Sequence, residues 1–328
     1  MRGFLWLVAG ATAALLVTAC GEEPRQRLRV GLNPWPGYQT LALAVERGCF
    51  AAVGLDLQIV EYSSLRDVRR AFDLGQIDVM PATLVEVLEV HNEGVRAPEV
   101  IFVPDASCGA DVVLANAACT GLDALRGRKV AYEPDSLGVY MLGRLVERAG
   151  LRLEDIVAVG MDQTEMVAAM REGRIDAAIT YPPASLQMAE MPGVQRIFST
   201  ADIPGEVLDV IAVDRRLLDQ DPEFLPRFYA AMGEVYRFIA EHPVEAQAAM
   251  ARSMHIQPAQ WQSAVRGVEL FGVADQRDWI WQPAKVAGIA RRLDAVLQSV
   301  RGARRPLPEH LTAARRPMPT LEAAAAPR

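Results

Sequence analysis

Residues Arg29 to Tyr38 read RVGLNPWPGY and decide the fold of this chain. The apolar run that ends at Leu32 predicts a buried β-strand, and the Pro-Trp-Pro-Gly sequence after it predicts a rigid turn. An amphipathic pattern that begins at Tyr38 then predicts a helix. A strand, a tight turn and a helix in this order aim free backbone N–H groups and the positive end of the helix dipole beyond the strand. We therefore expect this turn to form half of a small-molecule site.

The same alternation of strands and helices continues along the chain. Strands are predicted at 28–32, 55–62, 77–81, 100–103 and 110–115, and again at 129–132, 156–159, 176–180, 194–198 and 207–213. Both series contain the order glycine, polar residue, isoleucine and aspartate, at Gly75–Asp78 and Gly173–Asp176. This repeat predicts an α/β fold of two similar lobes, each a mixed, mostly parallel sheet flanked by helices. Helices are then expected at 222–241, 244–254, 259–268 and 285–300, and the Arg-, Pro- and Ala-rich segment 301–328 is expected to be disordered.

Composition and motifs exclude several classes of function. The 328 residues suggest about two domains, and the net charge of −7 without a basic stripe argues against nucleic acid as a partner. No P-loop, Gly-x-Gly-x-x-Gly or metal-ligand spacing is found, so we expect no cofactor, no metal and no catalytic residues. Cys49, Cys108 and Cys119 are interpreted as small apolar residues, although whether any of them pair stays open.

The N-terminus predicts export. Residues 1–19 carry one positive charge, at Arg2, followed by an uncharged run too short to span a bilayer, which is typical of a signal peptide. The run ends in Leu16–Gly21, which is similar to a bacterial lipobox with Cys20 as the lipidated residue. An ordinary signal peptide with a chance cysteine is the alternative. We predict an exported, lipid-anchored protein on the periplasmic or cell-surface face of a bacterial membrane, with inner or outer membrane left open.

The candidate site collects the residues that follow the strands, because ligands of open α/β sheets bind beyond the carboxyl ends of the strands. The predicted ligand-binding residues are Asn33, Trp35, Gly37, Tyr38, Ser63, Ser64 and Thr83 from the first lobe, and Ser136, Leu137, Gly138, Asp162 and Tyr181 from the second. Neutral donors and helix N-termini suit a small anion, and aromatic rings add an apolar wall. Ser63, Ser64 and Thr83 could instead be helix caps, and Trp35 could simply cover the end of the sheet.

The chain resembles the periplasmic substrate-binding proteins of ABC importers in the nitrate, sulfonate and taurine group, which also includes binders of thiamine-pyrimidine precursors. The order and spacing of six short stretches carry the resemblance, namely Val30–Tyr38, Glu46–Leu55, Gly75–Val79, Leu125–Ala131, Gly173–Ala178 and Ile203–Val210. The resemblance implies a type II periplasmic-binding-protein clamp, with lobe one at 27–113 plus 209–300 and lobe two at 114–208.

The resemblance also implies a function. The chain would be a monomer that captures a small organic molecule between its lobes and delivers it to an ABC permease and its ATPase. The neutral site residues favour a sulfonate-like or other small anion. One alternative is an accessory lipoprotein that senses a ligand and signals to a membrane partner. A second is a biosynthetic enzyme of the thiamine-pyrimidine or menaquinone type, which shares the fold, but an exported lipoprotein is a poor place for either pathway.

Overall fold

The computed structural model describes residues 27–319 and residue 321. The predicted signal peptide at 1–19, the lipobox cysteine Cys20, and residues 320 and 322–328 of the predicted tail lie outside the described residues. No helix in the described part of the chain is long and apolar enough to cross a lipid bilayer.

Two sheets, each flanked by helices, make up the described part of the chain. Their strands are β1 Arg27–Leu32, β2 Asp56–Glu61, β3 Val79–Thr83, β4 Pro98–Ser107, β5 Val112–Ala115, β6 Lys129–Tyr132, β7 Val157–Gly160, β8 Ala177–Thr180, β9 Gln195–Ser199, β10 Leu208–Asp214 and β11 Val268–Leu270. The helices are α1 Gln39–Glu46, α2 Cys49–Ala52, α3 Leu65–Asp73, α4 Leu84–Glu93, α5 Leu137–Arg148, α6 Gln163–Arg171, α7 Ala184–Ala189, α8 Arg215–Gln220, α9 Phe224–Glu241, α10 Pro243–Ser253, α11 Trp261–Ala264, α12 Gln276–Ile280 and α13 Ala284–Arg301.

Both sheets are mixed. The first has the strand order β11-β4-β10-β3-β1-β2 and the second the order β7-β6-β8-β5-β9. In the first sheet β1 runs parallel to β2 and β3, and in the second β6 runs parallel to β7 and β8. Antiparallel strands complete each sheet, with β10 between β3 and β4, and β5 between β8 and β9. The predicted α/β class with two mixed sheets is confirmed. We call the part around the first sheet the first lobe and the part around the second sheet the second lobe.

The chain crosses between the lobes twice. It leaves the first sheet after Ser107 and returns at Leu208. The hydroxyl groups of Ser107 and Thr200 lie 2.8 Å apart, and the backbone N–H of Gly109 donates to Thr200 Oγ1 at 2.7 Å. The two crossings are therefore tied to each other. The predicted division at residues 113/114 and 208/209 stays a proposal, and the strands change sheet one or two residues earlier.

The prediction of disorder from residue 301 onward is wrong for the part that the structure describes. Arg304 buries its guanidinium against two carboxylates and donates to Glu89 and Asp294, each at 2.8 Å. Leu311 and Thr312 are buried, and Thr312 forms a bridge with Val100 of β4. Composition alone did not predict this packing, because the charge of Arg304 is neutralised by two buried acidic residues that are distant from it in sequence.

The helix predicted at 259–268 is also wrong at its end. The helix α11 stops at Ala264, and β11 begins at Val268 and pairs with β4. Between them Gly267 adopts a positive φ of 81°, and a Cβ at this position would lie 2.7 Å from the backbone of Gly109. The left-handed glycine reverses the chain and lets it pass close to the first crossing.

The C-terminal helix α13 contacts both lobes. It packs on α4 of the first lobe and on α5 of the second. Val296 and Val300 lie so close to Gly143 of α5 that a Cβ there would be 2.9 Å from each side chain. Arg301 also donates to Asp135 of the second lobe at 2.7 Å.

Candidate functional site

A cavity of about 600 Å³ lies between the lobes, at the carboxyl ends of β1, β2 and β8. Its walls are formed by Leu32, Asn33, Pro34, Glu61, Tyr62, Ser63, Gln163, Thr164, Val167, Ala168, Arg171, Tyr181, Pro183, Ala184, Gln187, Ser253 and His255. A larger surface cavity of about 930 Å³ is lined by the region of α9 to α12 and by β11, away from these strand ends. The cavity between the lobes is the candidate site because strands of both sheets end there.

Asn33, one of the residues that line this cavity, carries an unpaired polar group. Its side chain is only 1% exposed, yet neither its amide nitrogen nor its amide oxygen has a hydrogen-bond partner. A buried amide left unpaired costs free energy. The amide nitrogen and the amide oxygen of Asn33 are therefore both buried and unpaired at the end of β1.

Aromatic rings from the two lobes meet beside the cavity. The ring centroids of Trp35 and Tyr181 lie 6.1 Å apart with an interplanar angle of 80°, an edge-to-face arrangement. Tyr181 lines the cavity, whereas Trp35 stands behind it and donates its Nε1–H to Asp105 at 3.0 Å. The pair closes the inner side of the cleft.

Two buried glutamates link the lobes reciprocally. The backbone N–H of Leu137, the first residue of α5 in the second lobe, donates to Glu86 of the first lobe at 2.7 Å. The backbone N–H of Arg66 in α3 of the first lobe donates to Glu133 of the second lobe, also at 2.7 Å. Glu133 further accepts from Tyr181 at 3.3 Å. Each lobe thus caps a helix of the other with a carboxylate.

Burial shapes the ionisation of these groups. Burial raises the pKa of Glu86 to about 7, although hydrogen bonds from Thr83 and Leu137 oppose the shift. Burial likewise raises the pKa of Glu133 above its ordinary value, against the donors that surround it. Both carboxyls therefore remain dependent on their few donors for stabilisation of the charged form.

Three aspartates lie beneath the turn, near the crossings. Asp105 and Asp209 are paired across β4 and β10, and Tyr38 donates its hydroxyl to Asp209. Burial raises the pKa of both carboxyls, and repulsion from Asp105 raises that of Asp209 further, so the pair retains a proton. Burial also raises the pKa of Asp111 to about 7. One oxygen of Asp111 is buried without a hydrogen-bond partner.

The structure brings together only some of the predicted site residues. Asn33, Ser63 and Tyr181 line the cavity. Gly37 and Tyr38 are buried beneath the turn, and Gly37 has no room for a side chain because Asp105 Oδ2 would lie 1.7 Å from its Cβ. The buried ring of Tyr38 contributes to the support of the turn rather than to the cavity surface.

The other predicted residues lie at helix starts. The hydroxyls of Ser64, Thr83 and Ser136 accept from the backbone of the first turns of α3, α4 and α5, as helix caps do. Gly138 is buried, with the carbonyl oxygen of Glu133 2.4 Å from where its Cβ would be. Asp162 is exposed and forms an ion pair of 3.7 Å with Arg66 across the cleft.

At two of these helix starts a protein carboxylate accepts from the backbone N–H group. Leu137 and Arg66 donate their backbone N–H groups to Glu86 and Glu133, so protein carboxylates already occupy the positions expected for an anion. The ligand-binding residues predicted from the sequence did not include either glutamate. Glu86 stands three residues after Thr83, the spacing of a capping box, and Glu133 directly follows a predicted strand. Those two signals were present in the sequence.

Comparisons with known proteins agree with this architecture. The structure of the aliphatic sulphonate binding protein SsuA from Escherichia coli matches with a TM-score of 0.69 and 18% identity, over 93% of this chain and 96% of that chain. SsuA from Xanthomonas axonopodis pv. citri, an alkanesulfonate-binding protein bound to MOPS, matches with a TM-score of 0.69 and 15% identity, over 89% and 98%. The fold of this chain is therefore that of the periplasmic binding proteins.

Relatives in sequence include both binding proteins and enzymes. A putative binding protein of Brucella abortus is 23% identical over 239 residues, which are 71% of this chain and 73% of that protein. The 4-amino-5-hydroxymethyl-2-methylpyrimidine phosphate synthase THI5 of Saccharomyces cerevisiae is 22% identical over 235 residues, 65% of this chain and 66% of that protein. The family model described as NMT1/THI5 like matches residues 35–246. The chain therefore belongs to the NMT1/THI5-like family.

Proposed function

We propose that this chain is an exported solute-binding protein of an ABC importer. It would be anchored through a lipid on Cys20, act as a monomer, capture a small organic molecule between its lobes and present it to a permease with its ATPase. The cavity between the lobes carries the proposal, because both sheets contribute walls to it and Asn33, whose amide is buried without a hydrogen-bond partner, is one of its lining residues. A ligand that contacts both lobes binds the closed form best and shifts the clamp toward it.

Binding can be tested by thermal unfolding with a ligand panel. The panel holds taurine, alkanesulfonates, nitrate, aminopyrimidines and aromatic amides, amidines and acids, each added to the purified protein. A ligand at 100 times its Kd adds about 2.7 kcal/mol of stability, which raises Tm by several degrees. If no compound in the panel raises Tm, the proposed function is contradicted.

The variant Asn33→Leu tests whether a ligand that raises Tm binds in the cavity. The substitution keeps the side-chain volume and removes an amide that has no partner, so the unliganded protein should lose little stability. The ligand-induced rise in Tm should disappear. Asn92→Ala is the matched control, because Asn92 lies outside the cavity lining and accepts from the backbone of Arg305.

Delivery without chemical conversion is part of the proposal. The histidine that lines the cavity, His255, is exposed and lies 3.2 Å from Glu61. Mass spectrometry of a ligand recovered after long incubation should return it unchanged. Appearance of a product would instead favour catalysis of the kind named for the yeast relatives.

The anchor and the transport role require separate tests. Cys20→Ser should release the protein from the membrane fraction, since the cysteine is the proposed attachment point of the lipid. Membrane association that persists in this variant would contradict the anchor. Deletion of the gene should abolish uptake of the identified ligand; uptake that persists together with a lost transcriptional response would favour the sensing alternative.

A further inference from the structure

A second cavity, of about 570 Å³, lies at the two crossings between the lobes. Cys108 and Gly109 of the first crossing and Ala201 of the second line it, and we call it the hinge cavity. Strands β5 and β9 and helix α7 of the second lobe form one side of it, and the segment 260–267 of the first lobe forms the other. Its volume is typical of small-molecule sites, which enclose about 300–1,000 Å³.

Helix α7 borders both the hinge cavity and the cleft. Its residues Ala184 and Gln187 line the cleft, whereas Ser185 and Ala189 line the hinge cavity. Residues three or four positions apart share a face of a helix, so α7 presents a different face to each cavity. A ligand in the hinge cavity would therefore contact an element of the cleft wall.

Arginines from both lobes line the hinge cavity. Arg196 lies on β9 of the second lobe, and Arg266 lies just before β11 of the first lobe. Both are exposed, and neither forms an ion pair with a carboxylate in the described part of the chain. Glu190 is the acidic residue of the lining, so positive charge predominates, and Val112 and Leu114 add apolar surface. Guanidinium groups bind an organic anion through charged hydrogen bonds, and the apolar surface suits an apolar body.

The segment that carries Arg266 is fixed to the first crossing. The backbone N–H of Cys108 donates to the carbonyl oxygen of Gly267 at 2.6 Å. The N–H of Gly109 donates to Thr200, next to Ala201 of the second crossing. The two arginines are therefore held at the hinge itself, where a change in the angle between the lobes alters their separation.

The lobes are in contact in the described form. Arg66 of the first lobe pairs with Asp162 of the second at 3.7 Å, and Arg301 donates to Asp135 at 2.7 Å. The hinge cavity has its present volume in this form. A ligand that contacts hinge-cavity walls from both lobes therefore favours it over a form with separated lobes. By linkage, such a ligand raises the affinity of the cleft for its own ligand.

We infer that the hinge cavity is an effector site that binds a small organic anion with an apolar body, and that its occupation strengthens ligand capture in the cleft. The effect on the cleft rests on the proposed function. Binding of the anion at the hinge does not.

Cys108 reports occupation of the hinge cavity, because it is exposed while Cys49 and Cys119 are buried. Partial burial and the neighbouring Glu269 raise the pKa of its thiol, so alkylation by iodoacetamide is followed at mildly alkaline pH, by mass spectrometry of the peptide that contains Cys108. Naphthalene-2-carboxylate is the probe, and naphthalene-2-carboxamide is the neutral control of the same shape. The carboxylate at about ten times its Kd should slow alkylation about tenfold, and the carboxamide should have little effect. Protection by neither compound, or equal protection by both, would overturn the inference.

A double variant assigns the protection to the two arginines. Arg196→Gln with Arg266→Gln should raise the carboxylate concentration needed for protection about tenfold or more, because charged hydrogen bonds are lost. Arg148→Gln with Arg277→Gln is the matched control, since it removes one exposed arginine from each lobe outside both cavity linings. Wild-type protection in a folded Arg196→Gln, Arg266→Gln protein would overturn the inference. If that protein does not fold, the comparison of carboxylate with carboxamide decides.

The coupling is measured with a cleft ligand that the thermal-unfolding panel identifies. Calorimetry gives its Kd with and without saturating naphthalene-2-carboxylate. We expect about fivefold tighter binding with the carboxylate in the wild-type protein, and loss of this gain in the Arg196→Gln, Arg266→Gln variant. An equal effect in both proteins would overturn the effector role. If the panel yields no cleft ligand, the proposed function fails, whereas alkylation of Cys108 still decides whether the hinge binds an anion.

Discussion

Asp105 fills the space in which a side chain at position 37 would begin, with its Oδ2 1.7 Å from the position of a Cβ on Gly37. The carboxyl is buried in the first lobe and also accepts from Trp35. Glycine is therefore required in the turn by the packing of a protein carboxylate. This contact ties the ligand-proximal turn to the strand that crosses toward the second lobe.

Gly37→Ala should destabilise the protein by about 2–4 kcal/mol, because either the turn or the carboxyl must move. Chemical denaturation measures the change. Gly288→Ala is the matched control in α13, where a Cβ would lie 3.9 Å from Nη2 of Arg291 and the helix should gain about 0.5–1 kcal/mol. A Gly37→Ala protein as stable as the wild type would show that the contact is easily relieved.

Trp35→Phe should cost about 1–3 kcal/mol beyond the lost apolar contact, because it leaves Asp105 without its indole donor in a buried site. Trp279→Phe removes the same atoms at a buried site away from Asp105 and provides the comparison. The difference between the two variants in free energy of unfolding reports the hydrogen bond. Equal losses would mean that the bond contributes nothing measurable.

Glu86→Gln should flatten the pH dependence of stability. Burial raises the pKa of Glu86 from 4.5 to about 7, so between these values the folded state binds more protons than the unfolded state. Stability from this group is present below pH 4.5 and is lost as pH rises to about 7, on the order of 3 kcal/mol in all. The slope of unfolding free energy against pH should therefore be smaller in the variant.

Asp111 has a pKa raised by burial as well, so part of the wild-type slope should survive in Glu86→Gln. Glu154→Gln, at an exposed position, should reproduce the full wild-type curve. An unchanged slope in Glu86→Gln would contradict the raised pKa.

Arg304→Met should cost about 3–5 kcal/mol, because the change leaves Glu89 and Asp294 without the buried guanidinium that they share. Arg305→Met, at the adjacent exposed position, is the control and should stay within about 0.5 kcal/mol of the wild type. Denaturation of both variants measures the contribution of the C-terminal segment. If the two behave alike, that segment contributes little to stability.

The sequence predicted the elements of the fold more completely than the site. Local patterns located ten of the eleven strands in the described part of the chain and the turn at Pro34–Gly37, since alternation and turn residues act over a few positions. The strand predicted at 100–103 is shorter than β4, because a proline such as Pro104 usually marks the end of a strand. The link between Glu86 and Leu137 joins residues 51 positions apart, and no local pattern encodes such a contact.

The predictions for the C-terminal tail and for the helix starts at the cleft were incomplete for the same physical reason. Arg304 is paired with Glu89 and Asp294, and the backbone N–H of Arg66 at a helix start is paired with Glu133. In both cases a charged group is compensated by a partner that only the tertiary fold supplies. The sequence identifies neutral donors at the ends of strands. It does not show which groups of the folded protein these donors already bind.

Under the proposed function, the contact of α13 with both lobes would influence ligand affinity from outside the cleft. The apparent Kd of a two-state binder is its intrinsic Kd divided by the fraction of molecules in the competent form. Under the proposed function, the contact of Val296 and Val300 with Gly143 would contribute to that fraction without touching a ligand. Changes at this contact would then alter the apparent Kd while every residue that recognises the ligand stays the same.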